Sequence, residues 1–194
     1  MVKHSATDLL PEDRDGFRFR GGCAALDLAA TRQARLTSAP RELLNTPSDL
    51  DRWLVSAGLA DVSPGATEQD LAATHSLREA IYTIAQGVGG QAFDGDARDV
   101  LNRVAALPSA APVLGNDGGV TLSGSVAELL SSLAREAVKL FGGEAATDVR
   151  QCASPTCTIF FVDTSRSGDR RWCSMSACGN KAKVAEFRRR KRTS

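Results

Sequence analysis

The sequence predicts an α+β protein: a mainly helical N-terminal domain with small β-hairpins, followed by a C-terminal treble-clef-like module. Three observations lead there. Apolar residues recur at i, i+3 and i+4 behind capping residues in several windows, which marks amphipathic helices. Short apolar stretches beside glycine-rich turns mark hairpins. Four of the five cysteines fall in two close pairs within the last 45 residues.

Residues 1–16 are polar, include Pro11 and read as a flexible arm. Phe17-Arg18-Phe19 alternates as a half-buried strand does, Gly21-Gly22 ends it, and Cys23–Ala30 continues as an apolar helix. Arg41–Leu44 reads as a second short strand. Ser48 is placed to cap the next helix, with Asp49 and Asp51 in its positive first turn, a Leu50-Trp53-Leu54 stripe, and Gly58 at its end. Thr67 opens a long helix on Leu71, Thr74, Leu77, Ile81 and Ala85, broken by Gly87, Gly89 and Gly90. A further helix covers about Asp94–Leu107 and stops at Pro108. Pro112–Leu114 and Val120–Leu122 flank Gly115–Gly119 as a hairpin, and Ser125 caps a helix running through Phe141. These elements make a helical body over residues 17–149.

Composition narrows the class. With 42% hydrophobic and 24% charged residues, the 194-residue chain is a folded one and not mainly disordered. No window approaches the ~20 apolar residues of a membrane span, and the polar N-terminus lacks a secretory signal. The reading is therefore cytoplasmic. The body shows no catalytic constellation. His75, beside Thr74 and Ser76, reads as a core-edge histidine, and Cys23 as buried filler. Gly21-Gly22 lacks the Lys-Ser/Thr of a phosphate loop, and Gly87–Gly90 follows a helix where a nucleotide loop follows a strand.

The net charge of +1 hides an asymmetry. Residues 150–194 hold 11 basic against 3 acidic side chains, a net of +8, whereas residues 1–149 hold 13 against 20, a net of −7. An acidic body with a basic tail reads as two modules with different partners.

Cys152-x4-Cys157 is followed, fifteen residues on, by Cys173-x4-Cys178. Two close pairs at this separation are the pattern of a structural tetrahedral zinc site, in which four thiolates suit a borderline-soft cation and leave no open position. Two disulfides would require an oxidising compartment. Independent burial does not fit Ser154, Pro155, Thr156, Ser174 and Ser176, which are turn residues; an iron–sulfur cluster uses the same donors. A 45-residue module with few large apolar side chains needs such a staple. Its hairpin is expected over Ile159–Val162, a turn at Ser165–Asp169 and a return through Arg171-Trp172-Cys173. A helix follows from about Asn180, with Ala182, Val184, Ala185 and Phe187 toward the core.

Arg166, Arg170 and Arg171 lie near the hairpin turn; Lys181, Lys183, Arg188, Arg189, Arg190, Lys191 and Arg192 lie on or beyond the helix. One meaning is a solvated face that partly offsets the double negative charge of a four-thiolate zinc. Setting two charges aside still leaves +6, a field sized for phosphates. Such a run positions a protein on a backbone without reading sequence.

Cys152-x4-Cys157, Phe161–Arg166 and Arg170-Arg171-Trp172-Cys173-Ser174-Met175-x2-Cys178-Gly179-Asn180 resemble the CGNR zinc finger, named for its Cys-Gly-Asn-Arg run. Phe17-Arg18-Phe19-x-Gly21-Gly22 with Ala25-Leu26-Asp27, Pro47-x-Asp49-Leu50-x2-Trp53-Leu54-x3-Gly58-Leu59, and Leu77–Tyr82 are similar to the ABATE domain of stress-induced bacterial transcription regulators. Two positions depart. Lys181 replaces the run's Arg and loses its bidentate fork, and Ala30 stands before Thr31 where relatives often carry Asn. The resemblance implies zinc, DNA binding and a regulatory body.

The expectation is a non-enzymatic, zinc-dependent DNA-binding transcription regulator whose body senses a small-molecule effector or forms a homodimer. An RNA- or ribosome-associated zinc module is the alternative. An enzyme with its pocket in the body, or a redox switch working through zinc release, are further readings.

Overall fold

The computed structural model describes residues 12–88, 90, 92–115 and 118–193. Most of the arm expected over residues 1–16 lies outside them. Its end is built into the fold: β1 (Asp13–Arg14) pairs antiparallel with β2 (Phe17–Arg18), turning through Asp15 and Gly16 at positive φ.

The body is assembled around α1 (Ala24–Ala29), a short helix whose Leu26 and Leu28 are fully buried between α3 (Glu68–Gly87) and α5 (Val126–Gly142). α2 (Pro47–Ser56) adds Leu50, Trp53 and Leu54 to the same core, and α4 (Gly95–Ala105) adds Ala97 and Leu101. Two further hairpins, β3 (Arg32–Gln33) with β4 (Arg41–Glu42) and β5 (Ala111–Leu114) with β6 (Val120–Ser123), connect the helices.

Helix starts follow from local chemistry. Thr67 with Asp70 and Ser125 with Glu128 form reciprocal capping boxes, each satisfying otherwise orphaned backbone N–H groups. The cap of α2 is Thr46 and not the expected Ser48. Pro47, with no N–H and a fixed φ, suits the first helical position, which moves the cap one residue before it. Asp49 then completes the box by accepting the Thr46 N–H at 3.0 Å. The buried Arg78 is paired: only 2% exposed, it donates to Glu42 at 2.6 Å and Glu79 at 3.0 Å and ties β4 to α3. His75 sits at the core edge, its Nε2 2.9 Å from the Leu44 carbonyl.

The C-terminal module packs directly on this body. β7 (Val149–Gln151) pairs antiparallel with β8 (Phe160–Val162). Phe160 enters the body core edge-on to Tyr82, with ring centroids 5.4 Å apart, while the fully buried Phe161 packs among the cysteines and Ala30. The other edge of β8 is closed by the body, since the Val162 N–H donates to the Gly21 carbonyl at 2.9 Å. That contact corrects the expected hairpin. With both edges of β8 occupied, the segment Arg171–Cys173 forms no strand; its backbone meets the first knuckle where the Ala153 N–H donates to the Arg171 carbonyl at 2.9 Å. Gly21 suits this crossing because a Cβ there would lie 2.6 Å from the Leu26 Cβ.

A π-helical turn, Met175–Gly179, leads into α6 (Asn180–Thr193). The expectation that Val184 and Phe187 face the core does not hold: they are 48% and 68% exposed. Phe161, Ile159 and Trp172 already fill the module's interior, and α6 projects away from it with its described side chains largely in solvent.

Candidate metal centre and the cationic face around it

Cys152 follows β7, Cys157 closes a tight turn through its N–H to the Ser154 carbonyl at 2.9 Å, Cys173 precedes the π-helical turn, and Cys178 lies within it. The fold brings their four sulfurs within 4.8 Å of one another. Cys157 to Cys173 and Cys173 to Cys178 each measure 3.8 Å between Sγ atoms. A tetrahedron with Zn–S bonds of about 2.3 Å has edges of ~3.8 Å, so the spacing fits one ion. A disulfide needs about 2.05 Å, and a multi-iron cluster needs its thiolates further apart.

The donor chemistry points the same way. Hydrogen bonds from Cys157 and Cys173 hold the Cys152 thiol far down, to about 2, and its sulfur also faces the backbone N–H groups of Cys173 and Ser154. The Cys152 thiolate in turn pushes Cys157 up to about 12 and raises Cys173 further. Four sulfurs this close cannot all be thiolates without a cation between them. The set fits a structural zinc, which Cys152, Cys157, Cys173 and Cys178 would hold with no position left open.

An aspartate that the sequence did not single out shapes the loop above the centre. Asp163, buried, accepts from Ser165 N–H at 2.9 Å, Ser165 Oγ at 2.6 Å and Arg170 N–H at 2.8 Å. The Ser165 hydroxyl is the main cause holding its carboxyl below the usual range. An Asp two residues before a Ser in a turn is the available sequence signal.

The ten basic candidates divide by surroundings. Arg170 is taken up internally: its Nε donates to the Trp172 carbonyl at 2.9 Å, its Nη2 to the Cys173 carbonyl, and its guanidinium lies 4.6 Å from the Phe161 ring centre. Arg171 is exposed over the Trp172 ring at 5.2 Å. Arg189 and Arg190 bind Glu186 at 2.9 and 2.8 Å, which brings its carboxyl down to about 2. Arg166, Lys181, Lys183, Arg188 and Lys191 are exposed and make no ion pair among the described residues. The Arg192 side chain lies outside the described residues. Ala30, one of the two departures from the resemblance, is buried against the cysteine cluster.

Cys23 is the N-cap residue of α1 and is half-buried; burial pushes its thiol up to about 12, which suits an inert filler. Among the described residues no helix is long and apolar enough to cross a membrane.

A search of curated proteins gives no match. The CGNR zinc finger model matches residues 149–191, and the ABATE model, described as "Putative stress-induced transcription regulator", matches residues 22–144. Neither is an enzyme family. With nearly two thirds of its length matched, the chain belongs to the ABATE family and carries a CGNR zinc finger behind that domain.

Proposed function

We propose that the protein is a zinc-dependent, duplex-DNA-binding transcription regulator of the cytoplasm. The observation that carries this reading is the projecting helix α6, rooted on the four-cysteine centre and bearing Lys181, Lys183, Arg188 and Lys191 without ion pairs among the described residues. Together with Arg166 and Arg171 at the loop they form a phosphate-facing surface whose position depends on the metal. Arg170 holds that surface together from inside, and Glu186 tempers Arg189 and Arg190. The acidic body is then the regulatory part, where a small-molecule effector acts or a second copy docks.

Full-length protein, zinc-loaded or chelated, is titrated with duplex DNA and with single-stranded RNA over a salt series. With four to six phosphates neutralised, duplex affinity falls with salt at a log–log slope of about −4 to −5, and only for the zinc-loaded protein. Equal binding of single-stranded RNA and duplex would overturn the DNA reading in favour of an RNA-associated module. A slope near zero for both would reduce the cations to a solvated face.

A further inference from the structure

Where β2, β3, the first cysteine knuckle and the start of α6 meet, the surface opens into a cleft of about 60 Å³. Three cations line it from three separate elements: Arg18 of β2, Arg32 of β3 and Lys181 of α6. Ser154 and Thr156 add hydroxyl groups, and no carboxylate is among the lining residues. Arg18 and Arg32 come from a body whose net charge is −7, so their placement beside Lys181 of the basic module runs against the composition of their own part of the chain. At ~10–15 Å³ for each water-sized group, the space holds about four or five of them, the size of one tetrahedral oxyanion.

The cations exceed what the metal requires. A four-thiolate zinc carries two negative charges, and Cys157 and Cys178 border the cleft, yet three positive side chains surround it. Arg18 and Lys181 form no ion pair among the described residues. Arg32 meets Glu79 at 3.6 Å, but that carboxylate is also held by Arg35 at 2.5 Å and by the buried Arg78 at 3.0 Å. Because Arg78 also pairs with Glu42 at 2.6 Å, two carboxylates serve three guanidinium groups, which leaves net positive charge beside the cleft. Two arginines also supply the planar forks that match phosphate oxygens.

The cleft is continuous with the surface of α6. Lys181 borders it and also lines the shallow groove along the helix beside Val184 and Arg188. Lys181, Arg188 and Lys191 recur at i, i+7 and i+10, close to one face of the helix. We propose that the cleft seats one phosphodiester group of the bound nucleic acid, so that the body contributes Arg18 and Arg32 to the interface. This rests on the nucleic-acid reading above. It also makes the docked arrangement of body and finger a requirement for full affinity, because the seat is incomplete without either.

The test compares wild-type protein with the double variant Arg18→Gln/Arg32→Gln, both full-length and zinc-loaded. Arg103→Gln serves as control, on α4, which does not line the cleft. Duplex affinity is measured over a salt series, inorganic phosphate binding by titration, and zinc content and Tm verify folding. The double variant is expected to lose one phosphate contact. The log–log slope becomes shallower by about 1 and affinity drops roughly tenfold at 0.1 M salt, while the control behaves as wild type. A wild-type slope in a folded double variant overturns the proposal; if inorganic phosphate binding is nevertheless lost, the cleft belongs to a free phosphorylated ligand instead. If the wild-type protein binds no nucleic acid but binds phosphate in a way the double variant abolishes, the DNA reading has failed while the phosphate seat stands.

Discussion

Asp27 lies in the first turn of α1, 7% exposed, with its Oδ1 accepting the Arg20 and Gly21 N–H groups of the segment that leads in from β2, each at 2.7 Å. Burial pushes its carboxyl up to about 7, more than those two bonds and the Arg14 charge offset. The folded state therefore holds a proton that the unfolded chain, with a carboxyl near ~4, releases earlier. Between about pH 4 and 7 this residue lowers stability as pH rises, by at most about 1.4 kcal/mol per pH unit, and above 7 the loss is complete. Asp27→Asn is expected to flatten the fall in Tm across that window. Glu136, likewise raised by burial and accepting from the Ala25 N–H at 2.7 Å, contributes a slope of the same sign. An unchanged Tm–pH profile in the variant would contradict the assignment. In the sequence Asp27 is only an acid on an apolar helix; its burial becomes visible once Gly21 crosses α1 at a distance that excludes a Cβ.

At the scale of elements, the loop and helix that follow β8 show what composition can and cannot tell. The excess of cations, the cysteine spacing and the helix from about Asn180 were all legible, because each is a local pattern. The separation of structural from solvent-facing cations was not, since it depends on which carbonyls and rings the fold brings near. Arg166 and Arg170 make the contrast. Both lie in the loop after β8, yet Arg166 is exposed while Arg170 bonds the Trp172 and Cys173 carbonyls, beside a sulfur of the candidate metal centre. Arg170→Ala is expected to weaken zinc retention against a competing chelator by roughly 10–100-fold, the size seen when an outer-shell partner of a ligand is lost. Arg166→Ala should leave zinc retention unchanged and make the duplex salt slope shallower by about 1. Equal zinc retention in the two variants would contradict the structural role given to Arg170. The return strand and the inward face of α6 failed for the same non-local reason. The Gly21 carbonyl occupies the edge of β8, and Phe161 with Trp172 fills the space that Val184 and Phe187 were expected to occupy.

The whole molecule is less divided than its charge suggests. The sequence separates an acidic body from a basic tail, and the family models match the same two regions. The structure joins them through adjacent phenylalanines, Phe160 in the body core and Phe161 in the cysteine cluster. Sequence patterning cannot show such a seam, because its two sides lie more than a hundred residues apart: Gly21 with Val162, Ala30 with the cysteines, Arg18 with Lys181. On the proposed function, the seam carries any signal from the body to α6, and the zinc that would fix the knuckles also fixes the cationic face. The most direct test of that claim is selection from a random duplex library by the full-length protein, zinc-loaded and chelated, at two salt concentrations. A sequence enriched by the zinc-loaded protein alone, with binding that falls steeply at the higher salt, is the expected result. Enrichment that survives removal of zinc, or a zinc-loaded protein that retains no duplex at the lower salt, would contradict it.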